Sequence, residues 1–309
     1  MSFSSQAKQE ITQKKLQKPC CARAACYGMA CFAKYYDARG IVIQTEMESV
    51  AGYAHKMFQR CGVEGTTVEK ERQSGTLYEF AVKDPQQVEN LHALLGFSDG
   101  VSLQIDPALL SGLHCVSAFV AAAFLCGGTA TDPQKEYSLE FLTNRTGLAK
   151  DFEALLAEHE FSPHRTRRKG MNLVYVKASD HVEDLLTFMG ATGASIQLMN
   201  EKALKSVRNQ VNRRSNCETA NIGKTAAAYG NALKAIRYLE SVDALESLPA
   251  PLQEAARLRQ KHPGMTLGAL AAEFDPPISK SGLSHRIKKL ESIAADLQKR
   301  REKAEQETL

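Results

Sequence analysis

Ala25-Cys-Tyr-Gly-Met-Ala-Cys-Phe-Ala33 and Val120-Ala-Ala-Ala-Phe-Leu-Cys-Gly-Gly128 decide the fold. Both read as helices of small residues, and Ala, Gly and Cys at successive positions let two helix backbones approach closely. The segments after the two helices are alike. An extended segment comes next (Gly40-Ile-Val-Ile-Gln-Thr45; Glu136-Tyr-Ser-Leu-Glu-Phe141), then a helix (Val50 to Arg60; Leu148 to His159). A polar hairpin and strand come after it (Leu77 to Lys83; Leu173 to Lys177), then a closing helix that ends at Gly96 or Gly190. Residues 20–96 and 115–190 are therefore two copies of one unit, and a repeat of this size outranks local propensity in choosing a fold. The offset is 95 residues from Ala33 to Gly128 and 98 from Val50 to Leu148, so a short insertion near Asp132-Pro133 separates the copies.

The paired small-residue helices resemble those at the centre of LAGLIDADG homing endonucleases. The resemblance implies a pseudo-twofold domain in which the penultimate motif position of each helix is a metal-binding carboxylate. Here Ala33 and Gly128 take the final glycine position, so Phe32 and Gly127 stand where the acids would be. Hard divalent cations need oxygen ligands, and metal-assisted phosphodiester cleavage needs the ion. Phe32 and Gly127 are degenerate former metal positions, and neither catalytic residues nor a bound metal are expected. Asp37 and Asp132 lie four residues beyond the motif ends. They read as turn residues rather than displaced ligands.

At 309 residues the chain has room for about two domains. No apolar run reaches the ~18 residues of a membrane span, and no partnership with a membrane is expected. The start Met-Ser-Phe-Ser-Ser lacks a secretory leader's hydrophobic stretch; Ser4 or Ser5 is expected to cap a first helix, and a cytoplasmic location is expected. Cys20, Cys21, Cys26 and Cys31 cluster without a Cys-x₂-Cys pair or nearby histidines, so free thiols are expected and no cofactor. The net charge of +4 hides an asymmetry: residues 1–200 carry 20 basic against 22 acidic side chains, and residues 201–309 carry 19 against 13. The basic excess points to a polyanionic partner for the C-terminal part. The slightly acidic N-terminal part suits another partner, a protein or small ligand.

From Pro251 the pattern is one of three short helices. Leu252, Ala255 and Leu258 share a face before His262-Pro-Gly264. Thr266 is expected to cap a second helix bearing Leu267, Leu270, Ala271 and Phe274, ended by Asp275-Pro-Pro277. Ser279 or Ser281 then caps a third, with Leu283, Ile287, Leu290, Ala294 and Leu297 inward. Lys280, Ser281, Ser284, His285, Arg286, Lys288 and Lys289 remain for its other faces. This is a helix-turn-helix arrangement for double-stranded DNA, with small polar residues for base edges and basic ones for phosphates. The same pattern also suits a three-helix protein-interaction module. Residues 246–309 are expected to fold and bind DNA alone.

Between the halves stands Arg208-Asn-Gln-Val-Asn-Arg-Arg-Ser-Asn-Cys-Glu-Thr-Ala-Asn-Ile-Gly-Lys-Thr225. Arg208, Arg213, Arg214 and Lys224 among Asn and Thr suit phosphate contacts or a polar joint. Asn221 and Thr225 read as contacts, or else as caps or packing polars. From Thr219, Ile222, Ala226, Leu233, Ile236 and Leu239 are spaced for one buried helix face. A further basic tip, Arg165, Arg167, Arg168 and Lys169, sits on the second hairpin, as a DNA contact or a solvated turn; Glu69 to Gly75 in the first copy is mixed in charge.

The Asn-Arg…Asn-Cys-Glu-Thr-Ala-Asn…Lys-Thr stretch resembles the signature of the WhiA family of bacterial regulators. Ser279-Lys-Ser-Gly-Leu-Ser-His-Arg286 and the Met-Ser-Phe-Ser-Ser start match it too. The resemblance implies an α+β chain: a duplicated, degenerate LAGLIDADG-like domain (1–200), a helical basic linker (201–245) and an all-α helix-turn-helix domain (246–309). It further implies a regulator of cell division, chromosome segregation or sporulation, a transcription factor or nucleoid-associated protein that is not an enzyme. An adaptor positioned on DNA by its C-terminal domain is the competing expectation.

Overall fold

The computed structural model describes residues 1–73, 75–96 and 103–306, with the side chains of 304–306 excepted. Ser74, in the tip of the first hairpin, and 307–309, the end of the expected C-terminal domain, lie outside them. The chain divides into two compact units, Met1–Ser206 and Val207–Leu309.

The N-terminal unit opens with α1 (Phe3–Gln13). Its cap is Ser2, whose side chain accepts from the Ser5 amide, rather than Ser4 or Ser5. Ser4 Oγ instead accepts a hydrogen bond from the Ala130 amide at 3.1 Å. The two repeats come next. The first is α2 (Pro19–Cys31), β1 (Tyr35–Asp37), β2 (Gly40–Thr45), α3 (Glu48–Arg60), β3 (Thr66–Arg72), β4 (Gly75–Val82) and α4 (Pro85–Leu95). The second is α5 (Leu113–Gly127), β5 (Gly128–Ala130), β6 (Leu139–Thr143), α6 (Thr146–Glu158), β7 (His164–Arg168), β8 (Met171–Val176) and α7 (Ser179–Met189). Both sheets are antiparallel with the same order, β1-β2-β4-β3 and β5-β6-β8-β7. The register repeats as well: Ile43 pairs with Phe80, and Phe141 with Val174. The expected extended segment 136–141 is displaced along the chain to 139–143. A turn from Asp132, closed by Lys135 N donating to its carbonyl, occupies the residues before it.

α2 and α5 pack against each other at the centre, and nearly every residue of both from Cys21 to Cys31 and Cys115 to Leu125 is buried. Gly28 makes this possible. A Cβ there would overlap the carbonyl oxygen of Phe119 on the facing backbone. Each sheet is then covered by its own helix, with Phe58 stacked on Phe80 at 5.2 Å and Phe152 edge-on to Phe141 at 4.7 Å.

One helix, α8 (Thr192–Ser241), contains the unit boundary. Ala194 and Leu198 belong to the N-terminal core, whereas Ala232, Ile236 and Leu239 belong to the C-terminal one. The segment expected as a linker therefore ends inside the second core. Ile222 and Ala226 are exposed, so the buried stretch of α8 in this unit begins only later, with Ala232, Ile236 and Leu239.

The C-terminal unit continues with α9 (Ala250–Lys261), α10 (Leu267–Ala272) and α11 (Lys280–Gln306). Leu270, Ala271, Phe274, Leu283, Ile287, Leu290 and Ala294 close its core. Because three core residues come from α8, residues 246–309 lack part of this core; the compact unit is Val207–Leu309. Thr266 caps α10 by accepting from the Ala269 amide at 3.3 Å, and Ser279 caps α11 by accepting from Gly282 at 3.0 Å. Thr266→Ala is expected to cost the C-terminal unit about 1 kcal/mol, read by denaturant unfolding of 207–309; an unchanged midpoint would show that the cap carries no net stability.

Candidate nucleic-acid interface

The polar residues of α11 separate into two stripes by helical spacing. Ser281, His285 and Lys289 form one, and all three are exposed. Lys280, Ser284 and Lys288 form the other, and they line a cleft of about 390 Å³ within the C-terminal unit. Its other walls include Lys224, Thr225 and Ala228 of α8, Arg259 of α9, and Thr266 and Leu267. Lys224 of the signature segment thus lines the same cleft as the third helix. Arg208, Arg213 and Arg214 lie exposed on α8 outside the cleft, and Arg214 pairs with Glu218 one turn on at 3.0 Å. Arg286 is half-buried with its guanidinium 5.2 Å above the Phe274 ring, which commits it to packing as well as to charge.

Arg259 was not legible as part of this site. It follows Ala255 by one helical turn and is almost fully buried. Its guanidinium donates to the Met265 carbonyl at 2.6 Å and lies 4.6 Å above the Tyr229 ring, joining α9 to α8 and to the cap of α10. Burial pulls it below the ordinary guanidinium value. The cleft is therefore lined by Lys224, Lys280, Lys288 and Arg259 against a single carboxylate, Glu291.

In the N-terminal unit, Arg165, Arg167, Arg168 and Lys169 are all exposed on β7 and its turn. Arg165 pairs with Glu153 on α6 at 2.8 Å, so three cations of the four are left to the surface.

At the C-terminal ends of α2 and α5, where the resemblance would place metal-binding acids, the Phe32 ring packs edge-on to Phe152 at 5.0 Å. A Cβ on Gly127 would lie 2.8 Å from both Phe32 Cδ1 and the Leu142 carbonyl oxygen. The two positions interlock: the aromatic ring occupies the space that a carboxylate on the opposite helix would need. The adjoining groove of about 480 Å³ is lined by Lys8 and Lys34 and by no aspartate or glutamate. Behind it lies Arg145, buried, donating to the Cys31 carbonyl at 2.6 Å. Thr143 and Arg145 repeat Thr45 and Met47: in both copies the threonine hydroxyl accepts from the amide two residues on, at 3.2 Å. Arginine in place of methionine puts a cation against the end of α2 in one copy alone. The groups present do not fit a hard divalent cation. Asp37, the last residue of β1, and Asp132 each stand at the start of a turn, their carboxylates accepting from the Arg39 and Gln134 amides at 2.9 Å each.

Comparison with known proteins agrees with this architecture. The family model for the WhiA C-terminal HTH domain matches residues 211–294, and that for the WhiA LAGLIDADG-like domain matches 116–208. The probable cell division protein WhiA of Caldicellulosiruptor saccharolyticus is 33% identical over 97% of this chain and 96% of its own length. The chain belongs to the WhiA family. Its Caldicellulosiruptor bescii relative is 34% identical over the same shares. Full-length DUF199/WhiA from Thermatoga maritima superposes with a TM-score of 0.61 at 18% identity, covering 96% of this chain and 99% of that one, which shows a shared fold. The WhiA HTH match begins within α8, in keeping with the contribution of that helix to the second core.

Proposed function

We propose that this WhiA-family chain is a regulator that reads double-stranded DNA through α11, acts in cell division at the nucleoid, and does not cleave the DNA it binds. The observation that carries the reading is the pair of stripes on α11. The cleft stripe assembles Lys280 and Lys288 with Lys224 for phosphates, and the exposed stripe offers Ser281 and His285 to base edges. A helix-turn-helix unit with this disposition needs no further group to bind DNA. The cell-division role rests on the name carried by the relatives. Among the described residues no helix is long and apolar enough to cross a membrane.

Binding is tested by titrating the whole chain against duplex DNA at several salt concentrations. Affinity is expected to fall steeply with salt as phosphate contacts release counterions; salt-independent or absent binding would overturn the reading.

The absence of cleavage follows from Phe32 and Gly127. With no side-chain oxygen at either position, and lysines but no carboxylate in the adjoining groove, the ions that activate water at a phosphodiester lack the anionic ligands that would hold them. Plasmid and target duplex are expected to remain intact with Mg²⁺ or Mn²⁺ at high protein concentration. Metal-dependent nicking that survives further purification would sink this part.

A second reading gives the N-terminal unit a protein or small-molecule partner. A cavity of about 500 Å³ favours it, with Ile105, Leu110, Leu113 and Val116 beside Asp151 and Glu158, an apolar and acidic lining unsuited to DNA. Residues 1–206 binding duplex as strongly as the whole chain would count against this reading.

A further inference from the structure

The starts of the two central helices bring together four side chains that the sequence holds far apart. Cys20 and Cys21 stand in the first turn of α2, and His114 and Cys115 in the first turn of α5. One ligand atom from each lies within 4.8 Å of all the others. Cys21 Sγ is 3.5 Å from His114 Nδ1, and Cys115 Sγ is 3.2 Å from the same nitrogen. A tetrahedral zinc ion with bonds of about 2.3 Å to sulfur and about 2.0 Å to nitrogen requires ligand separations of roughly 3.5–3.8 Å. The two measured separations are close to that spacing.

We propose that Cys20, Cys21, His114 and Cys115 form a structural zinc site that pins the starts of α2 and α5. Three thiolates and one imidazole make a closed set of the kind that holds zinc without an open position for chemistry. Sulfur ligands select a borderline-soft ion over Mg²⁺ or Ca²⁺. Ser111 Oγ, 3.5 Å from Cys115 Sγ, is placed to hydrogen-bond the metal-bound thiolate. The four residues stand in the first turns of α2 and α5, where the positive end of each helix dipole favours the net negative charge of three thiolates around one dication. Cys21 and Cys115 are buried, Cys20 is half-buried and His114 is exposed, so an ion enters from the His114 side.

The repeat supports the placement. The 95-residue offset that relates the two helices relates Cys20 to Cys115, so each copy offers a thiol at the same position and a second ligand beside it. The cluster sits at the end of the helix pair opposite Phe32 and Gly127. From Cys20 to Phe32 is twelve residues of helix, about 18 Å at the rise of an α-helix. The site is thus separate from the degenerate positions, and it fastens helices whose packing depends on close approach rather than on large interlocking side chains.

The test uses the whole chain, purified under reducing conditions and stripped with chelator. Titration with Co²⁺ alone should produce thiolate charge-transfer absorption and intense visible bands of tetrahedral cobalt, saturating at one ion per chain and bleached by Zn²⁺. The Cys21→Ser/Cys115→Ser double variant should lose the bands. A second measurement needs no variant: Zn²⁺ should slow alkylation of Cys20, Cys21 and Cys115, read by peptide mass, while exposed Cys217 reacts at an unchanged rate. Absence of tetrahedral bands at stoichiometric cobalt would overturn the proposal. So would equal alkylation of the three cysteines with and without zinc, or a Cys21–Cys115 disulfide as the form that persists under reducing conditions.

Discussion

Gly28→Ala will destabilise the N-terminal unit, although alanine is the better helix former. In an open helix the exchange gains about 1 kcal/mol. At this position the new methyl group meets the backbone carbonyl of Phe119 well inside van der Waals contact and the Ala122 Cβ at 3.1 Å. The obstacle is backbone on a facing helix, so no rotamer change relieves it. Overpacking of this kind costs about 1–3 kcal/mol and more where the neighbour cannot move. That exceeds the propensity gain. Gly52→Ala on α3 is the matched control, because nothing lies within 4 Å of its would-be Cβ and the position is exposed. It should stabilise by up to about 1 kcal/mol. Thermal or denaturant unfolding of the two variants should therefore move in opposite directions. Movement of both to higher stability would mean that α2 and α5 are not in backbone contact.

Loss of sequence discrimination is the second large effect. His285→Ala should leave folding intact, since the residue is exposed and makes no contribution to the Leu283–Ile287–Leu290 core. It should lower the ratio of specific to non-specific affinity by about 1–3 kcal/mol, roughly 5- to 150-fold. Ser284→Ala belongs to the same class of change, but Ser284 is half-buried in the cleft and its effect should be the smaller. Lys280→Ala with Lys288→Ala should instead weaken binding to every sequence and flatten the salt slope by about two units. Lys224→Ala should behave as they do, despite lying more than fifty residues earlier, because it lines the same cleft. Lys289→Ala, on the exposed stripe, should also weaken all sequences together. Site selection with each variant decides the matter. If His285→Ala and Lys289→Ala reduced affinity in parallel for all sequences, α11 would be a charge clamp and base reading would lie in the 208–225 segment of α8.

Much of the architecture is legible in the chain itself. Two small-residue helices, each leading into matching strand and helix patterns, predict the repeat, and both sheets have the same strand order. Phe32 and Gly127 are readable as non-ligands from residue type alone. Their interlock, in which one ring fills the space needed by a carboxylate opposite, required the packed helices. The caps at Thr266 and Ser279 are legible because capping is a contact within three residues of chain. The first cap lies two to three residues before the expected one. Ser2, Ser4 and Ser5 are all capable hydroxyls, and Ser4 is bound to Ala130 on another element.

Sequence by itself determined what depends on neighbours along the chain: the periodicities of the elements, their caps and turns, the duplication, and the chemistry missing at positions 32 and 127. Tertiary structure decided which distant side chains share a site. Cys20 and Cys21 read as free thiols in the sequence because His114 and Cys115 lie over ninety residues away, and only the close packing of α2 and α5 joins them. Lys224 looked like part of a linker because a helix that packs along only part of its length carries no local mark of where burial begins. Ile222 is exposed and Ile236 is buried on one continuous helix. The roles of Arg259 and Arg145 are not legible in the sequence for the same reason: a buried guanidinium is held by carbonyls that folding brings to it. Helical period fixes the face on which a residue stands, but what that face meets is set by packing between segments, and that information is distributed over the whole chain.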